Sequence, residues 1–343
     1  MQADPMPTSP VDVSVVVIGR NEGQRLLDCL ASVRAAHWGP LRHELIYVDS
    51  GSTDGSAQAA ASVGASVITV KPLRPSAALG RNAGWREAGA PWVLFLDGDT
   101  LLNPDFVSAA LEAFRDHPER AAVWGHRRER YPQHSIFNRV LDLDWVYPAG
   151  DTAFCGGDAL FRRSALAETG GFNDQLIAGE EPELCARLRQ PGWRNWHIDQ
   201  PMTQHDLALT RWHQYWLRAE RAGHAYAEVS HRLAHTSTPL WKHENSRHRF
   251  HAFILLLFFI VLLTLLATHA FTAAGLWTGL AIIGWVRTAW RARWKGGSAL
   301  TLGLYALHAH AQQIPIGWGQ LQWTRAHRKG LSRGLIEYKR GAP

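Results

Sequence analysis

Two carboxylates stand one residue apart at the end of an apolar run. Asp97 and Asp99 follow the run at 92–96, and Gly98 lies between them. Alternate side chains of a strand point the same way, so the two carboxylates are expected to share one face. Such a pair favours a bridging cation, and Mg²⁺ or Mn²⁺ is commonly held by carboxylates together with substrate phosphates. An ordinary Asp-Gly-Asp turn fits the same residues, so the rest of the chain must decide.

A second acidic cluster, Glu180, Glu181 and Glu183, opens a predicted helix around Pro182. Proline suits the first helical turn, and the helix dipole favours carboxylates there. That explanation accounts for any single glutamate more readily than for three so close together.

Glycines and small polar residues mark three further loops. Gly156 and Gly157 permit either a tight turn against a ligand or a plain hairpin turn. The loop at 19–23 interrupts an apolar β-branched run, and the loop at 49–56 is rich in hydroxyl and acidic side chains. Both loops follow predicted strands, and the ends of such strands are where ligands bind in open α/β sheets.

The order of the predicted elements indicates an α/β fold. Short apolar strands at 11–18, 45–48, 67–70 and 92–96 alternate with segments of helical spacing. This alternation predicts a mostly parallel, doubly wound sheet with flanking helices. The polar, aromatic segment 127–150 is predicted to be a loop over the site.

Composition excludes several classes of protein. The chain has 343 residues, of which 46% are hydrophobic and 19% charged, so it is not disordered as a whole. Its three cysteines form no C-x-x-C pair, which argues against a zinc site or a disulfide framework and fits a reducing compartment. The residues 1–10 are predicted to be disordered, without the features of a signal peptide.

The C-terminal third predicts a membrane region at 236–343. Uncharged stretches at 252–268 and 270–286 suit a transmembrane helical hairpin, although a buried hairpin of a soluble protein is the alternative. Basic residues flank the hairpin on both sides, which places the N-terminal domain in the cytoplasm. The segment 299–318 is predicted to be an interfacial helix, and the tail after it is basic. Because the positive charge gathers beside these stretches, lipid is a more natural partner than nucleic acid.

Taken in order, these motifs resemble those of glycosyltransferase family 2, inverting enzymes with the GT-A fold, in their membrane-associated bacterial form. The resemblance covers about residues 13–217 and rests on the segments 15–22, 48–56, 80–84, 97–99, 156–172 and 179–193. It implies a GT-A domain over 11–235 and a nucleotide diphosphate sugar as donor, with uracil as the expected base.

The resemblance also implies roles for individual residues. Glu181 matches the catalytic base, Glu180 would contact the acceptor or tune the base, and their assignment stays open because relatives commonly have Glu-Asp here. The metal would be Mg²⁺ or Mn²⁺ on Asp99, Asp97 and His205. Acceptor or sugar contacts would come from Gly156, Gly157, Asp158 and Trp193. Nucleotide-sugar contacts would come from Ile18, Arg20, Glu22, Asp49, Ser52, Asp54, Arg81, Asp97 and Gly98.

The acceptor is expected to be membrane-bound. Processive relatives carry Gln-x-x-Arg-Trp, whereas Ala208 stands in the Gln position before Arg211 and Trp212. This favours a single-addition enzyme at the inner membrane that acts on a polyprenyl-linked glycan intermediate of cell-surface polysaccharide synthesis. A polyprenyl-phosphate monoglycosyltransferase and a non-catalytic nucleotide-sugar-binding protein are the alternatives.

Overall fold

The fold is described from a computed structural model, over residues 11–71 and 76–331. The predicted disorder at 1–10 and the end of the basic tail lie outside the described residues. The chain divides into two compact units. Within the described part, the first comprises 11–71, 76–128, 147–206 and 236–240, and the second comprises 129–146, 207–235 and 241–331.

The first unit is built on one sheet, in which nine strands are found within the described residues. Their order is β3-β2-β1-β4-β8-β6-β9-β5, and β7 pairs with β9. In chain order the strands are β1 Val13–Gly19, β2 His43–Asp49, β3 Ser66–Thr69, β4 Trp92–Asp97, β5 Thr100–Leu102, β6 Arg120–Glu129, β7 Gly150–Thr152, β8 Ala159–Arg162 and β9 Arg194–His205.

The first four strands are parallel, as the sequence predicts. β1 lies between β2 and β4, with Ile18 opposite both Val48 and Asp97. The β-branched residues of β1 are fully buried, which explains why this run forms a central strand. Because parallel strands end at one edge, the loops after β1, β2 and β4 meet there.

The other half of the sheet differs from the prediction of a mostly parallel sheet. β8 runs antiparallel to β4, β6 pairs antiparallel with β8, and both β5 and β7 pair antiparallel with β9. The sheet is therefore mixed. Short apolar runs predict strands, but they carry no information about direction once the strict strand–helix alternation stops.

Helices cover the faces of this sheet. They are α1 Gln24–Arg34, α2 Ser56–Ser62, α3 Ala77–Glu87, α4 Phe106–Phe114, α6 Arg163–Thr169 and α7 Glu180–Arg189. Ser76 caps α3 by accepting a hydrogen bond from the backbone of Leu79. Gly84 on α3 packs so closely on β1 that an added Cβ would overlap Val16. Arg81 lies three residues earlier on the same helix.

The segment 127–150 is more regular than predicted. Instead of a loop it contains the end of β6, the helix α5 Ile136–Asp144 and the start of β7. Ser135 caps α5, and the buried side chains of Val140 and Leu141 form its apolar side. The helix is short and charged residues interrupt its apolar stripe, so the sequence gives only a weak helical periodicity here.

The second unit is helical. It contains α5, α8 Trp212–Arg232, α9 Lys242–Ala267, α10 Phe271–Ala292, a 3₁₀ turn at Arg293–Lys295, α11 Ala299–Ala311 and α12 Gln313–Arg328. Glycines allow α8 and α12 to approach closely, since a Cβ on Gly223 would overlap the backbone of Ile316. The predicted interfacial helix at 299–318 is two helices, which meet at Gln312.

One helix among those described, α9, is long and apolar enough to cross a membrane, and its apolar window is 6% buried. α10 follows after Thr268–Ala270 and also exposes large apolar side chains, such as Phe271 and Ile283. It does not meet the same requirement of length and apolarity. The transmembrane hairpin as a pair of spans therefore stays a prediction.

Candidate active site

The strand-end carboxylates form a compact cluster with a histidine. Asp97 ends β4, Asp99 follows it in a turn, and His205 ends β9 opposite Thr100 of β5. One ligand-type atom from each of the three lies within 4.8 Å of the others. The Nε2 atom of His205 is 3.2 Å from Oδ1 of Asp99, and both side chains are buried. The structure thus brings together the three predicted metal-site residues.

This donor set suits a divalent metal of the predicted kind. Carboxylate oxygens are the usual ligands of Mg²⁺ and Mn²⁺, and an imidazole nitrogen shifts the preference towards Mn²⁺ and other transition metals. Asp99 is buried, and a buried carboxylate beside a second carboxylate favours a nearby cation. The residues present therefore fit the metal that the sequence predicts.

Asp97 also lies between two arginines. Its Oδ1 accepts from Nη2 of Arg81 at 2.9 Å, and its Oδ2 from Nη2 of Arg127 at 3.3 Å. With both oxygens paired in this way, Asp97 is less available to a metal than Asp99. Arg127 was not singled out from the sequence, because its position on β6 within a polar segment gives no spacing signal.

The acidic pair lies at the start of α7. Gly179 precedes the helix with a φ of +81°, a left-handed conformation that suits glycine, and Glu180 and Glu181 form the first turn. Burial, followed by the nearby charge of Glu180, raises the pKa of Glu181 to about 7, although Arg81 acts in the opposite direction. A carboxylate with such a pKa is well matched to accept a proton near neutral pH.

The third glutamate of the cluster has a structural partner. Glu183 pairs with Arg187 one turn later on α7, at 2.8 Å. Arg187 also donates to the backbone carbonyls of Thr169 and Gly171, which fixes α7 against the end of α6. Glu183 thus stabilises the helix, whereas Glu180 and Glu181 contact Arg81.

Of the two adjacent glycines, only Gly157 lies against other side chains of the site. A Cβ on Gly157 would lie 3.1 Å from Oε1 of Glu181 and 3.3 Å from Oδ2 of Asp97, and closer still to Arg81. A Cβ on Gly156 would meet nothing within 4 Å. The loop between β7 and β8 therefore passes close to the charged cluster, and a turn against a ligand stays a prediction.

Asp158 differs from its expected role at the sugar or acceptor. It is 0% exposed and accepts hydrogen bonds from the backbone N–H of Asp97 and the hydroxyl of Thr203. These contacts join the end of β4 to β9. A fully buried carboxylate is not accessible to a substrate. Asp158 instead orients Asp97 through the hydrogen bond to its backbone.

The two loops expected to bind the nucleotide are fastened to each other. The backbone N–H of Asn21 donates to Ser52, and that of Gly23 donates to Asp54. The carboxylate of Asp49 is buried and accepts from the backbone N–H groups of Gly51 and Ser52. Asp49, Ser52 and Asp54 thus shape the loops, and their contacts to a nucleotide stay predictions.

The remaining predicted nucleotide residues lie at the same edge of the sheet. The backbone carbonyl of Ile18 accepts from the N–H of Gly98, and a Cβ on Gly98 would lie 3.3 Å from Cγ of Glu22. Glu22 pairs with Arg25 at 2.8 Å, and Arg20 is exposed on the same loop. The loop after β1 therefore lies beside the Asp97–Asp99 turn.

Similarity to known proteins identifies the family. The model of the family "Glycosyl transferase family 2" matches residues 14–170, which contain the loops after β1 and β2, the Asp97–Asp99 turn and the double glycine. Over these residues, which are a little under half of the chain, it is similar to glycosyl transferase family 2. The family resemblance seen in the sequence motifs is confirmed.

Two curated relatives match parts of this chain. It is 23% identical over 188 residues to the poly-beta-1,6-N-acetyl-D-glucosamine synthase of Staphylococcus aureus (strain COL), with 51% of this chain and 45% of that protein covered. It is 26% identical over 238 residues to the N-acetylglucosaminyl-diphospho-decaprenol L-rhamnosyltransferase of Mycobacterium tuberculosis, with 57% and 76% covered. The chain thus spans less than half the length of the synthase.

A solved structure supports the fold. The mannosyltransferase of Pyrobaculum calidifontis, in complex with GDP-Man and Mn²⁺, has a TM-score of 0.66 and 20% sequence identity. The match covers 92% of this chain and 89% of the mannosyltransferase. At this level of identity the likeness concerns the fold, which agrees with the GT-A architecture predicted from the sequence.

Two predicted residues of the family 2 site have other partners in the structure. The indole N–H of Trp193 donates to Glu168 of α6 at 2.8 Å, and the ring packs on the apolar core. Trp193 thus has structural partners, and its contact with an acceptor stays a prediction. Arg81, expected near the nucleotide, is only 2% exposed and lies among carboxylates.

Proposed function

We propose that the chain is an inverting glycosyltransferase that moves a sugar from a nucleotide diphosphate sugar to a hydroxyl group. One observation carries this proposal. A partly buried glutamate with a raised pKa and a metal-type cluster lie on either side of a single arginine, at the edge of the sheet where the loops after β1, β2 and β4 meet. Inversion requires a base on one side of the sugar and a stabilised leaving group on the other.

The donor would bind at the loops after β1, β2 and β4. Exposed Arg20 supplies charge there, and the hydrogen bonds between the loops hold their shape before a ligand arrives. Asp99 and His205, assisted by Asp97, would hold Mg²⁺ or Mn²⁺. Such an ion, when bound, neutralises charge that develops on the departing diphosphate.

Glu181 would act as the base. Its Oε1 is 2.9 Å from Nη1 of Arg81, which orients the carboxylate, and its side chain stays 16% exposed and so remains open to an acceptor. Glu180 is more deeply buried, at 5%. Of the two glutamates whose roles the sequence left open, the accessible one is the better proton acceptor.

The acceptor would be a membrane-held glycan intermediate, with a polyprenyl anchor as the expected lipid. Support comes from α9, which is long and apolar enough to span a bilayer, and from a curated relative named for its diphospho-decaprenol substrate. The catalytic unit would face the cytoplasm at the inner membrane. UDP is the expected nucleotide, while a polyprenyl-phosphate acceptor and a non-catalytic role are the alternatives.

The test is a transfer screen of the purified full chain with UDP-, GDP- and dTDP-sugars, each with and without Mn²⁺. Product is measured on extracted lipid acceptors, and donor hydrolysis is followed in parallel. Glu181→Gln removes the proposed base, and general-base removal costs about 10²- to 10⁴-fold in rate. Glu183→Gln is the matched control, because it changes the same residue type on the same helix away from Arg81.

A donor that is consumed only by the wild type and the Glu183→Gln variant supports the proposal. Unchanged turnover in Glu181→Gln would assign the base elsewhere. Nucleotide binding without turnover for any donor would instead favour the non-catalytic alternative.

A further inference from the structure

Arg81 is the largest side chain that the described part of the chain buries almost completely. Its guanidinium contacts three carboxylates at once. Nη2 is 2.9 Å from Oδ1 of Asp97, while Nη1 is 2.9 Å from Oε1 of Glu181 and 3.1 Å from Oε1 of Glu180. The guanidinium also lies over the ring of Phe172, 5.6 Å from its centroid. It is fixed on several sides.

These carboxylates come from distant parts of the sequence. Asp97 ends β4, whereas Glu180 stands 99 residues after Arg81, at the first turn of α7. Three carboxylates gathered this closely would repel one another without an intervening cation. A planar guanidinium suits the place, because its rigid fork of donors binds carboxylates on more than one side, which a lysine ammonium does less well.

The loop between β7 and β8 lies against the guanidinium of Arg81. Gly157 lies so close to the guanidinium that an added Cβ would overlap Nη2, and the same Cβ would lie 3.1 Å from Glu181. Gly157 therefore blocks one direction in which the guanidinium could move. The ion pairs hold its fork of donors towards the three carboxylates.

We propose that Arg81 is a positioning residue that holds the Glu181 carboxylate and Asp97 at a fixed separation, so that the base faces the donor sugar. The proposal rests on the proposed function, because it assigns Glu181 to the acceptor side and Asp97 to the donor side. It differs from the expectation that Arg81 contacts the nucleotide. The arginine acts through the groups it orients and touches neither substrate.

Three roles for Arg81 give three different results. A nucleotide-binding arginine would, when replaced, weaken donor affinity. A purely structural arginine would lower thermal stability while the folded fraction kept its turnover. A positioning arginine would lower kcat through Glu181, so its effect would disappear once Glu181 no longer acts as a base.

The experiment is a double-mutant cycle on the full chain, with Arg81→Gln, Glu181→Gln and the combined variant. Each is assayed for kcat and for binding of UDP or GDP with Mn²⁺ by calorimetry. Arg187→Gln is the matched control, since it removes another arginine that pairs with a glutamate of α7. Displacement of a catalytic group by about 1 Å costs on the order of 10²-fold.

We expect Arg81→Gln to lower kcat by about 10²-fold, with nucleotide affinity within about threefold of wild type. The combined variant should lie within about threefold of Glu181→Gln alone, because residues that act as one unit are not additive. Arg81→Lys should restore part of the rate, since it keeps the charge without the fork. Arg187→Gln should behave as the purely structural case, with lower thermal stability and a kcat of the folded protein near wild type.

Multiplicative losses in the combined variant would overturn the proposal, as would a loss of nucleotide affinity that accounts for the whole effect. If Arg81→Gln does not fold, the cycle is run with Arg81→Lys, and a wild-type kcat there overturns the proposal equally. Failure of the proposed function is distinguishable, because then the wild type itself shows no turnover that depends on Glu181.

Discussion

Replacement of Gly157 by alanine tests the packing of the active site most sharply. The added Cβ would lie 3.1 Å from Oε1 of Glu181 and 3.3 Å from Oδ2 of Asp97. Against Nη2 of Arg81 it would be roughly 1 Å inside ordinary contact distance. The guanidinium is the end of a long side chain, but its ion pairs with three carboxylates prevent it from moving freely.

The expected magnitude follows from this overlap. Overpacking of a well-packed site costs about 1–3 kcal/mol, and each kcal/mol lowers Tm by about 2–4 °C in domains of moderate size. A displacement of Glu181 by about 1 Å would lower kcat by on the order of 10²-fold. The activity loss should therefore be much larger than the small loss of stability implies.

The assay is sugar transfer at saturating donor, together with thermal unfolding of the same preparations. Gly156→Ala is the matched control, because a Cβ at this neighbouring glycine meets nothing within 4 Å. We expect Gly156→Ala to keep wild-type Tm and kcat. Wild-type kcat in Gly157→Ala would refute the argument that the loop is packed on the charged cluster.

Three further predictions concern pH, Trp193 and the helical unit. The pKa of Glu181 is raised from its ordinary value of 4.5 to about 7, so kcat/KM should rise with pH through about 7 as the base loses its proton. The contribution of this group to folding stability is fully present below pH 4.5 and is lost as the pH rises through 7. A pH–rate profile that is flat from about pH 5.5 to 8 would contradict this prediction. Trp193→Phe should remove one hydrogen bond, lower stability by about 1 kcal/mol in chemical unfolding and leave transfer unchanged, and a selective loss of kcat would return Trp193 to the site. Gly319→Ala should lower the free energy of unfolding by about 1–3 kcal/mol, because its Cβ would overlap the backbone of Glu220 where α12 packs on α8. Gly275→Ala on α10 is the control: its Cβ meets nothing within 4 Å, so thermal unfolding should not change.

The sequence predicts the parallel half of the sheet well, for a physical reason. β1, β2 and β4 are continuous apolar runs that end abruptly in polar residues, and such runs suit strands buried on both faces. The antiparallel half and α5 were missed, because direction and pairing depend on contacts between distant segments. Short elements with weak periodicity carry little local signal.

In the candidate site, too, some features have a local sequence signal and others depend on contacts between distant segments. Asp97, Asp99, Glu180 and Glu181 are recognisable because they stand in close pairs at the ends of predicted elements. Their joint dependence on Arg81 is not visible in the sequence, since the ion pairs connect residues as far apart as Arg81 and Glu181. Asp158 and Trp193 stand beside the motifs along the chain, but their side chains have structural partners that only the fold shows.

The most direct test of the central claim is the binding of nucleotide to the full chain by calorimetry. The claim is that Asp99 and His205 hold a divalent metal against the diphosphate of the donor. We expect UDP or GDP to bind with Mn²⁺, and to bind at least tenfold more weakly in EDTA or in Asp99→Ala. Equal affinity with Mn²⁺, in EDTA and in Asp99→Ala would contradict the account.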